Sequence, residues 1–436
     1  GQLKNFLLNM DTIQVLSFNC WGLAVISKNR RHRLSAIADT LTNSSYDIIT
    51  LQEVWVQKDY EYLVEKLRYN LPHAKFFYSG ALGSGLAIFS KFPIIATAYH
   101  RYALNGKPLK LLHGDYYVGK GCATTTVDHP QLGLLDIYNT HLHGGYGPED
   151  PYKAHRATQC WQLANLLRAS AAMGRHIIMS GDFNSVPSSF NYKLIRNHGY
   201  MTDSWLQVHG EPDANGFDMN SLNIETYTQY FGFTCNSPYN TFSRYYSPST
   251  DNIHAKRMMG KRLDYIFYSQ TPQFTCTDSR VVLTDRVPDT DMSYSDHFGV
   301  VSHFTILHPS QTRPNRRKLN ETQLDPTTVR EIVDALVLDK MKAKRDADWL
   351  LGCFFSCIVL QFILLVIIVA VPTCVPEAIV IVLVTLIGSL LMNFVSVALP
   401  VCLIVAFVFG RTEERALLQC IQEIETFQQN MIYSIV

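Results

Sequence analysis

Several polar side chains that suit catalysis or metal binding stand where apolar segments of the chain begin or end. The set is Asn19, Glu53, His141, Asp182, Asn184, Asp264, Asp296 and His297. Carboxylate and amide oxygens are hard ligands of the kind that Mg²⁺ prefers, and Mg²⁺ usually keeps several waters. An imidazole titrates near neutral pH and can accept a proton from water. The set therefore predicts attack of water on phosphorus, with a metal ion neutralising the developing charge.

The motifs of other hydrolytic chemistries are missing from the sequence. The chain has no nucleophilic Ser or Cys motif, no Walker loop and no H-E-x-x-H zinc motif. Each candidate alone has an ordinary structural explanation, since Asn19 suits a turn and Glu53 suits a salt bridge at a domain rim. The combination is more specific, because carboxylates, amides and two histidines all fall at predicted strand ends.

The segments that position these residues alternate between strand and helix. Apolar and β-branched runs predict strands at 12–18, 47–51, 85–89, 123–127, 134–140, 176–180, 262–268 and 299–305. Helical patterns lie at 33–41, 60–71 and 153–169. This alternation is typical of an α/β domain whose sheets are buried by helices. Such domains place their sites at strand ends.

Two long uncharged segments predict a membrane hairpin. Residues 349–371 and 378–409 carry no charged side chain, and at about 1.5 Å per residue either can cross a hydrocarbon core of about 30 Å. The connection 372–377 has no Lys or Arg, whereas basic residues flank the pair: Lys340, Lys342, Lys344, Arg345, Arg411 and Arg415. The positive-inside rule predicts that both flanks and residues 1–345 face the cytosol, and an endoplasmic reticulum or related internal membrane is expected.

Amphipathic patterns flank the hairpin on both sides. The pattern at 325–348 indicates either a juxtamembrane helix whose basic residues contact anionic lipids or an ordinary solvated connector. A stripe from Leu417 to Ile435 must cover the domain, the bilayer or a second copy of the chain. We therefore divide the chain into a catalytic domain at 1–308, a linker and juxtamembrane helix at 309–348, a hairpin at 349–410 and a C-terminal helix at 411–436.

Charge and cysteine content argue against two classes of function. Lys and Arg number 38 against 37 Asp and Glu, and the first 348 residues hold 36 basic and 32 acidic side chains. This balance gives no reason to expect nucleic acid as a partner. The ten cysteines are dispersed without C-x-x-C spacing, so neither a zinc site nor a disulfide framework is expected.

An ordered series of motifs carries a family resemblance. The series is Asn19, Gln52-Glu53, Ser84-Gly85-Leu86, Thr140-His141, Gly181-Asp182-Phe183-Asn184, Asp264 and Ser295-Asp296-His297. It resembles the endonuclease/exonuclease/phosphatase superfamily. F-N-C-W-G at 18–22, E-V-W at 53–55, H-G-D at 113–115 and T-H-L-H at 140–143 are similar to the neutral sphingomyelinases with a C-terminal hairpin. The resemblance spans residues 12–306 and implies a four-layer α/β sandwich of two mixed sheets.

The resemblance also implies a role for each candidate. Glu53 would hold Mg²⁺, or Mn²⁺ as a substitute, with Asn19 beside it and Asp296 in the metal environment. His297 would be the general base, and Asp264 would orient it.

Four further residues receive roles in the same way. Asp182 would position the attacking water, while Asn184 and His141 would donate hydrogen bonds to phosphoryl oxygens. Asp115 and Lys120 resemble a pair that switches between active and inactive arrangements in the neutral sphingomyelinases. A solvated loop lysine is the other interpretation of Lys120.

The predicted reaction is hydrolysis of sphingomyelin to ceramide and phosphocholine at a cytosolic membrane face. Alternatives left open are lysophosphatidylcholine, lyso-platelet-activating factor, a phosphoinositide phosphatase, a nuclease on the same scaffold, and a non-enzymatic membrane scaffold. The aromatic-rich segment 227–246 suits either a membrane-dipping loop or a packed one. His155 and Arg156 are expected on a helix surface. A homo-oligomer through the C-terminal helix is a further expectation.

Overall fold

A computed structural model describes residues 10–146, 149–212, 224–246, 260–307 and 322–433. Residues 308–321, which include the first part of the predicted linker segment at 309–348, lie outside these ranges. The chain divides into two compact units, one drawn from Gly1–Asn105 and His113–Val329 and the other from Gly106–Leu112 and Arg330–Val436.

The first unit contains two six-stranded sheets. Its strands are β1 (Met10–Asn19), β2 (Ile48–Gln52), β3 (His73–Phe76), β4 (Ala87–Ser90), β5 (Ile94–Arg101), β6 (Gly121–His129), β7 (Gly133–His141), β8 (His176–Asp182), β9 (Thr202–Asp203), β10 (Asp264–Tyr268), β11 (Phe274–Val282) and β12 (Gly299–Leu307). One sheet has the order β11-β12-β1-β2-β4-β3 and the other β5-β6-β7-β8-β10-β9. Both sheets are mixed, since β1 and β2 are parallel, as are β7 and β8, among antiparallel neighbours.

Helices cover the outer faces of the sheets. They are α1 (Arg30–Thr42), α2 (Gln57–Leu67), α3 (Asp115–Val118), α4 (Lys153–Ala172), α5 (Phe190–Lys193), α6 (Ser204–His209) and α7 (Ile224–Phe231). Leu34 and Ile37 of α1 and Leu63 of α2 are buried with Leu16 and Phe18 of β1. On the other sheet, α4 contacts β8.

A second apolar layer lies between the sheets. Ile13 and Val15 of β1 point into it, and they meet Ile137, Ile178 and Ile266 from the opposite sheet. Successive β1 side chains alternate between this layer and the α1–α2 layer, as the two-residue period of a strand requires. The predicted four-layer sandwich is therefore confirmed.

Every strand that the sequence predicted is present, but β3, β5, β9 and β11 were missed. These four strands form the two edges of each sheet. An edge strand is covered on fewer sides, so it needs no continuous apolar run; most residues of β5, for example, are exposed.

The second unit is built from long helices. They are α8 (Pro326–Cys374), α9 (Ala378–Leu403) and α10 (Arg411–Tyr433), with a π-helical turn at Ile404–Gly410. Two helical stretches, Pro326–Cys374 and Ala378–Gln429, are long and apolar enough to cross a membrane, and only 6% and 11% of their apolar windows are buried. The predicted juxtamembrane helix and first span form one continuous helix. The stripe that begins at Leu417 is buried within the chain as far as Ile424.

Candidate active site

The predicted site residues converge at one edge of the two sheets. The carboxyl ends of β1, β2, β7 and β8 meet the amino ends of β10 and β12 there, because β10 is antiparallel to β8 and β12 to β1. In the strand register, Asp182 lies beside both His141 and Asp264. The Asn19 amide links the sheets, since its Nδ2 donates to Glu53 Oε1 and to Asp182 Oδ2, each at 3.1 Å.

A histidine–aspartate pair lies next to Asp182. His297 Nδ1 is 2.8 Å from Asp264 Oδ2, and His297 Nε2 is 3.8 Å from Asp182 Oδ2. All three side chains are buried. One ligand atom from each lies within 4.8 Å of the others, so this cluster could also hold a metal ion. The arrangement suits a general base, because a carboxylate that holds Nδ1 orients the imidazole and leaves Nε2 facing the site.

His141 and Asn184 flank Asp182 on its other sides. His141 Nε2 lies 3.5 Å from Asp182 Oδ2, while its Nδ1 is buried without a hydrogen-bond partner. The Asn184 backbone N–H donates to Asp182 Oδ1 at 2.9 Å, and Asn184 Nδ2 donates to Leu142 O at 3.0 Å. One of the two N–H donors of this amide is thus committed to the backbone, and the other remains for a ligand.

Glu53 sits in a strained turn at the end of β2. Its φ of 58° is left-handed, which is uncommon outside glycine. Its carboxylate accepts hydrogen bonds from Asn19 and from Trp55 Nε1, the latter at 3.4 Å. Asp296, half-buried like Glu53, accepts from Ser295 Oγ at 3.3 Å. Strain of this kind concentrates at functional sites.

Burial, and then neighbouring charges, shift the proton affinities of the side chains in the site. Burial, followed by the charge of Asp296, raises the pKa of Glu53, and burial raises the pKa of Asp296. Burial and then Asp264 raise the pKa of Asp182 to about 7. Burial opposes the charge on His297, but the Asp264 carboxylate prevails and the pKa of His297 lies well above its ordinary value. The cluster therefore holds more negative charge than its own residues balance.

This excess of negative charge fits a divalent cation. Two donor sets are present: Glu53 with Asn19 and Asp296, and the Asp182–Asp264–His297 cluster. The first set offers mainly carboxylate oxygens, which suit hard cations such as Mg²⁺ and Mn²⁺.

Asp115 and Lys120 form a buried ion pair beside the site. Lys120 Nζ lies 2.9 Å from Asp115 Oδ1 and donates to Leu142 O at 2.8 Å. Lys120 is 3% exposed, so the interpretation as a solvated loop lysine was wrong. Tyr146 OH donates to Asp115 Oδ2 at 2.9 Å. Burial and then the charge of Lys120 lower the pKa of His141, which links this pair electrostatically to the site.

Residues 16–297 match the Endonuclease/Exonuclease/phosphatase family. The chain belongs to this family. Its residues at the strand ends, from Asn19 to His297, fall within the matched range or at its limit.

Relatives within the family share much of the chain. It is 40% identical to "Inositol phosphosphingolipids phospholipase C" of Schizosaccharomyces pombe, covering 70% of this chain and 71% of that protein. It is 30% identical to the Saccharomyces cerevisiae protein of the same name, covering 95% and 89%, and to human "Sphingomyelin phosphodiesterase 2", covering 71% and 68%. Among solved structures, it is similar to SmcL at 19% identity and a TM-score of 0.48, covering 67% of this chain and 99% of that one.

The roles of some residues beside the site were not predicted from the sequence. Arg33 is 1% exposed, and its guanidinium donates to Cys20 O at 2.9 Å and Trp21 O at 2.7 Å, which anchors the turn after β1. Gln52 Nε2 donates to Asn139 Oδ1 at 2.8 Å, across the two sheets. The Gln52 motif was noticed, but nothing in the sequence pairs it with Asn139.

Two other expectations need correction. His155 and Arg156 were expected on a helix surface, yet both are buried in α4, at 0% and 3% exposure. Arg156 forms an ion pair with Asp150. In the aromatic-rich segment, Tyr227 and Phe231 are buried and their rings lie 4.6 Å apart. This part of the segment is therefore packed, as the second interpretation held.

Proposed function

We propose that this chain is a Mg²⁺-dependent phospholipase C-type enzyme that hydrolyses a phosphosphingolipid to ceramide and a phosphorylated head group. The observation that carries the proposal is the chain of contacts from Glu53 through Asn19 and Asp182 to His297, with no step longer than 3.8 Å. Residues from opposite ends of the domain can thereby act on one phosphate.

The proposed roles follow from the contacts. Water bound between Asp182 Oδ2 and His297 Nε2 would give its proton to the imidazole, and Asp264 would stabilise the imidazolium that forms. The new bond joins the water oxygen to phosphorus, and the bond from phosphorus to the ceramide oxygen breaks. The alkoxide takes a proton from solvent water, and the imidazolium of His297 returns its proton to solvent. His141 and Asn184 would donate hydrogen bonds to the phosphoryl oxygens.

Mg²⁺ bound by Glu53, Asn19 and Asp296 would supply the positive charge that offsets charge building on the phosphoryl and leaving oxygens. The electrostatics of Glu53 support this, because burial and then the charge of Asp296 raise its pKa, and a cation bound beside both carboxylates would stabilise their charged forms.

Two head groups are candidates. Sphingomyelin was expected from the sequence, and the human relative carries that substrate in its name. The Schizosaccharomyces pombe relative is more similar, at 40% identity, and is named for inositol phosphosphingolipids. An inositol phosphosphingolipid is therefore the second candidate substrate.

We further propose that α8 and α9 span a membrane as a hairpin and that the catalytic unit faces the cytosol. The length and exposure of the apolar windows support a span, and the basic flanks support the orientation. The lipid substrate would then lie in the same bilayer as the anchor.

The test is a substrate panel with the full chain in vesicles, with and without Mg²⁺. We expect ceramide release from sphingomyelin, an inositol phosphosphingolipid or both, and loss of activity with EDTA that Mg²⁺ restores. Glu53→Gln should lose Mg²⁺-dependent turnover by at least about a hundredfold. Glu61→Gln, an exposed change on α2, is the matched control and should behave as wild type.

Other outcomes would assign other functions. Cleavage of plasmid DNA, or release of inorganic phosphate from a phosphoinositide without ceramide formation, would replace the proposal with one of the rival activities of this fold. Turnover by Glu53→Gln with unchanged Mg²⁺ dependence would remove Glu53 from the metal site.

A further inference from the structure

The loop between β1 and α1, residues 20–29, displays two adjacent aliphatic side chains. Val25 is 95% exposed and Ile26 is 68% exposed. Isolated apolar residues are common on protein surfaces. These two are unusual because they occupy the tip of a loop that leaves the strand carrying Asn19 at the site.

A buried arginine holds this loop closed at its base. Arg33 Nε donates to Lys28 O at 2.8 Å, and its Nη atoms donate to Cys20 O and Trp21 O at 2.9 and 2.7 Å. The guanidinium also lies 4.8 Å from the centroid of the Trp21 ring. A buried charge is tolerated only when it is well hydrogen-bonded, and here the bonds go to both ends of one loop. The tip is therefore held out from the domain by the structure at its base.

The same loop is attached to the site. The Trp21 N–H donates to Asn19 Oδ1 at 3.0 Å, and the Gly22 N–H donates to Glu53 O at 2.9 Å. A Cβ at Gly22 would lie 2.4 Å from that Glu53 oxygen, so only glycine allows this approach. The position of the tip is thus tied to the backbone of the proposed metal ligand.

Basic residues follow the aliphatic tip directly. Lys28, Arg31 and His32 are exposed. Aliphatic side chains that enter the acyl region, next to basic side chains that reach lipid phosphates, are the composition of a membrane-interfacial segment. A bilayer is also where the apolar helices α8 and α9 would be held.

We propose that Val25 and Ile26 insert into the bilayer surface beside the scissile lipid and present the site to it. The inference rests on the proposed function, because it assumes that the substrate is drawn from a membrane. The loop tip would contact a lipid bilayer, and the basic residues of α1 would lie at the level of the lipid head groups.

The test compares one lipid in two physical states, using the full chain reconstituted in vesicles. In the double variant Val25→Ser/Ile26→Ser, turnover of vesicle phosphosphingolipid should fall about tenfold or more, because two aliphatic side chains no longer enter the lipid. Turnover of a short-chain phosphosphingolipid, supplied as a water-soluble monomer, should stay unchanged, since neither side chain belongs to the catalytic set.

Matched controls separate insertion from a general loss of apolar surface. Val25→Leu/Ile26→Leu should keep wild-type turnover on vesicles. Ile95→Ser/Leu134→Ser removes two other exposed aliphatic side chains, 55% and 41% exposed, from β5 and β7, and should also have no effect.

A readout independent of activity keeps this inference separate from the proposed function. Ile26→Trp fluorescence should be quenched by brominated lipid beyond the wild-type level, whereas Ile95→Trp fluorescence should not. Equal losses on vesicle and monomeric substrate, or no extra quenching, would overturn the inference. A dimer in detergent that disappears in the double variant would assign the tip to a second copy instead. A wild-type chain that releases no ceramide from either substrate would defeat the proposed function itself, whatever the quenching shows.

Discussion

Burial has one effect on the side chains in the middle of β1 and β8 and another on the side chains at the ends of these strands. Ile13 of β1 and Ile178 of β8 lie in the apolar layer between the sheets, whereas Asn19 and Asp182 end these strands at the site. All four side chains are buried. Burial stabilises the apolar pair, but it raises the pKa of Asp182 to about 7 because a buried charge beside Asp264 is unfavourable.

Stability and reactivity therefore belong to different parts of the same strands. The layer between the sheets supplies free energy that offsets the crowded carboxylates at the strand ends. Changes in the middle should therefore alter unfolding and leave chemistry intact, whereas changes at the ends should alter chemistry first of all. Four experiments test this division.

The largest effect on turnover is expected at the strand ends, where the site lies. His297→Ala should lower turnover per folded molecule by up to about 10⁴-fold, since a general base contributes about 10²- to 10⁴-fold. The urea midpoint of the full chain in detergent should fall as well, because the hydrogen bond to Asp264 is lost, so turnover is measured where the variant remains folded. His303→Ala, on the same β12 but paired with Asp278, is the control and should keep its turnover. Near-full activity of His297→Ala would contradict the claim that the strand ends carry out the chemistry.

Substitutions in the layer between the sheets should lower stability and leave turnover nearly unchanged. Phe304 is 0% exposed in the layer between the sheets, and Phe304→Ala should lower the free energy of unfolding by about 3 to 5 kcal/mol. At a temperature where the variant remains folded, turnover per folded molecule should be nearly unchanged. Phe304→Leu, which leaves a smaller cavity, should cost less. A variant that is stable but inactive would contradict the division.

Asp182 should give the site a distinctive pH dependence of stability. Its folded pKa of about 7 exceeds the ordinary value of 3.8, so between these values the unfolded chain has released a proton that the folded chain retains. Stability should therefore fall as the pH rises from about 4 to 7, by roughly 1 kcal/mol per pH unit. Urea unfolding in EDTA should show this slope in the difference between the wild type and Asp182→Asn, because the contributions of other buried groups are common to both proteins.

A buried histidine away from the site should give stability the opposite slope and should have no effect on turnover. Burial lowers the pKa of His198 to about 3, from an ordinary value of 6.5. Its ring stacks on Trp161 and its Nε2 lies 3.2 Å from Asn165 Oδ1. In this window the unfolded chain binds the additional proton, so the contribution of His198 to stability should rise with pH from about 3 to 6.5, by roughly 1 kcal/mol per unit. His198→Gln should remove that rise and leave turnover unchanged.

Much of the fold could be predicted because the inner strands are rich in apolar and β-branched residues. A run such as 47–51 must be buried wherever it lies, and it became β2. The four edge strands could not be predicted, because an edge such as β5 or β3 is stabilised by its neighbour's backbone and not by its own apolar pattern.

The candidate site shows the same limit. The residue types at the strand ends, from Asn19 to His297, predicted a phosphoryl-transfer site and the family to which the chain belongs. That chemistry, the long apolar helices and the α/β class were predictable from the sequence, because each depends on residue type and local spacing. The folded chain was needed to show that Asn19 joins Glu53 to Asp182, that Lys120 is buried against Asp115, and that Arg33 closes the loop after β1. Those contacts join residues far apart in the chain, and their partners are chosen by how the two sheets pack.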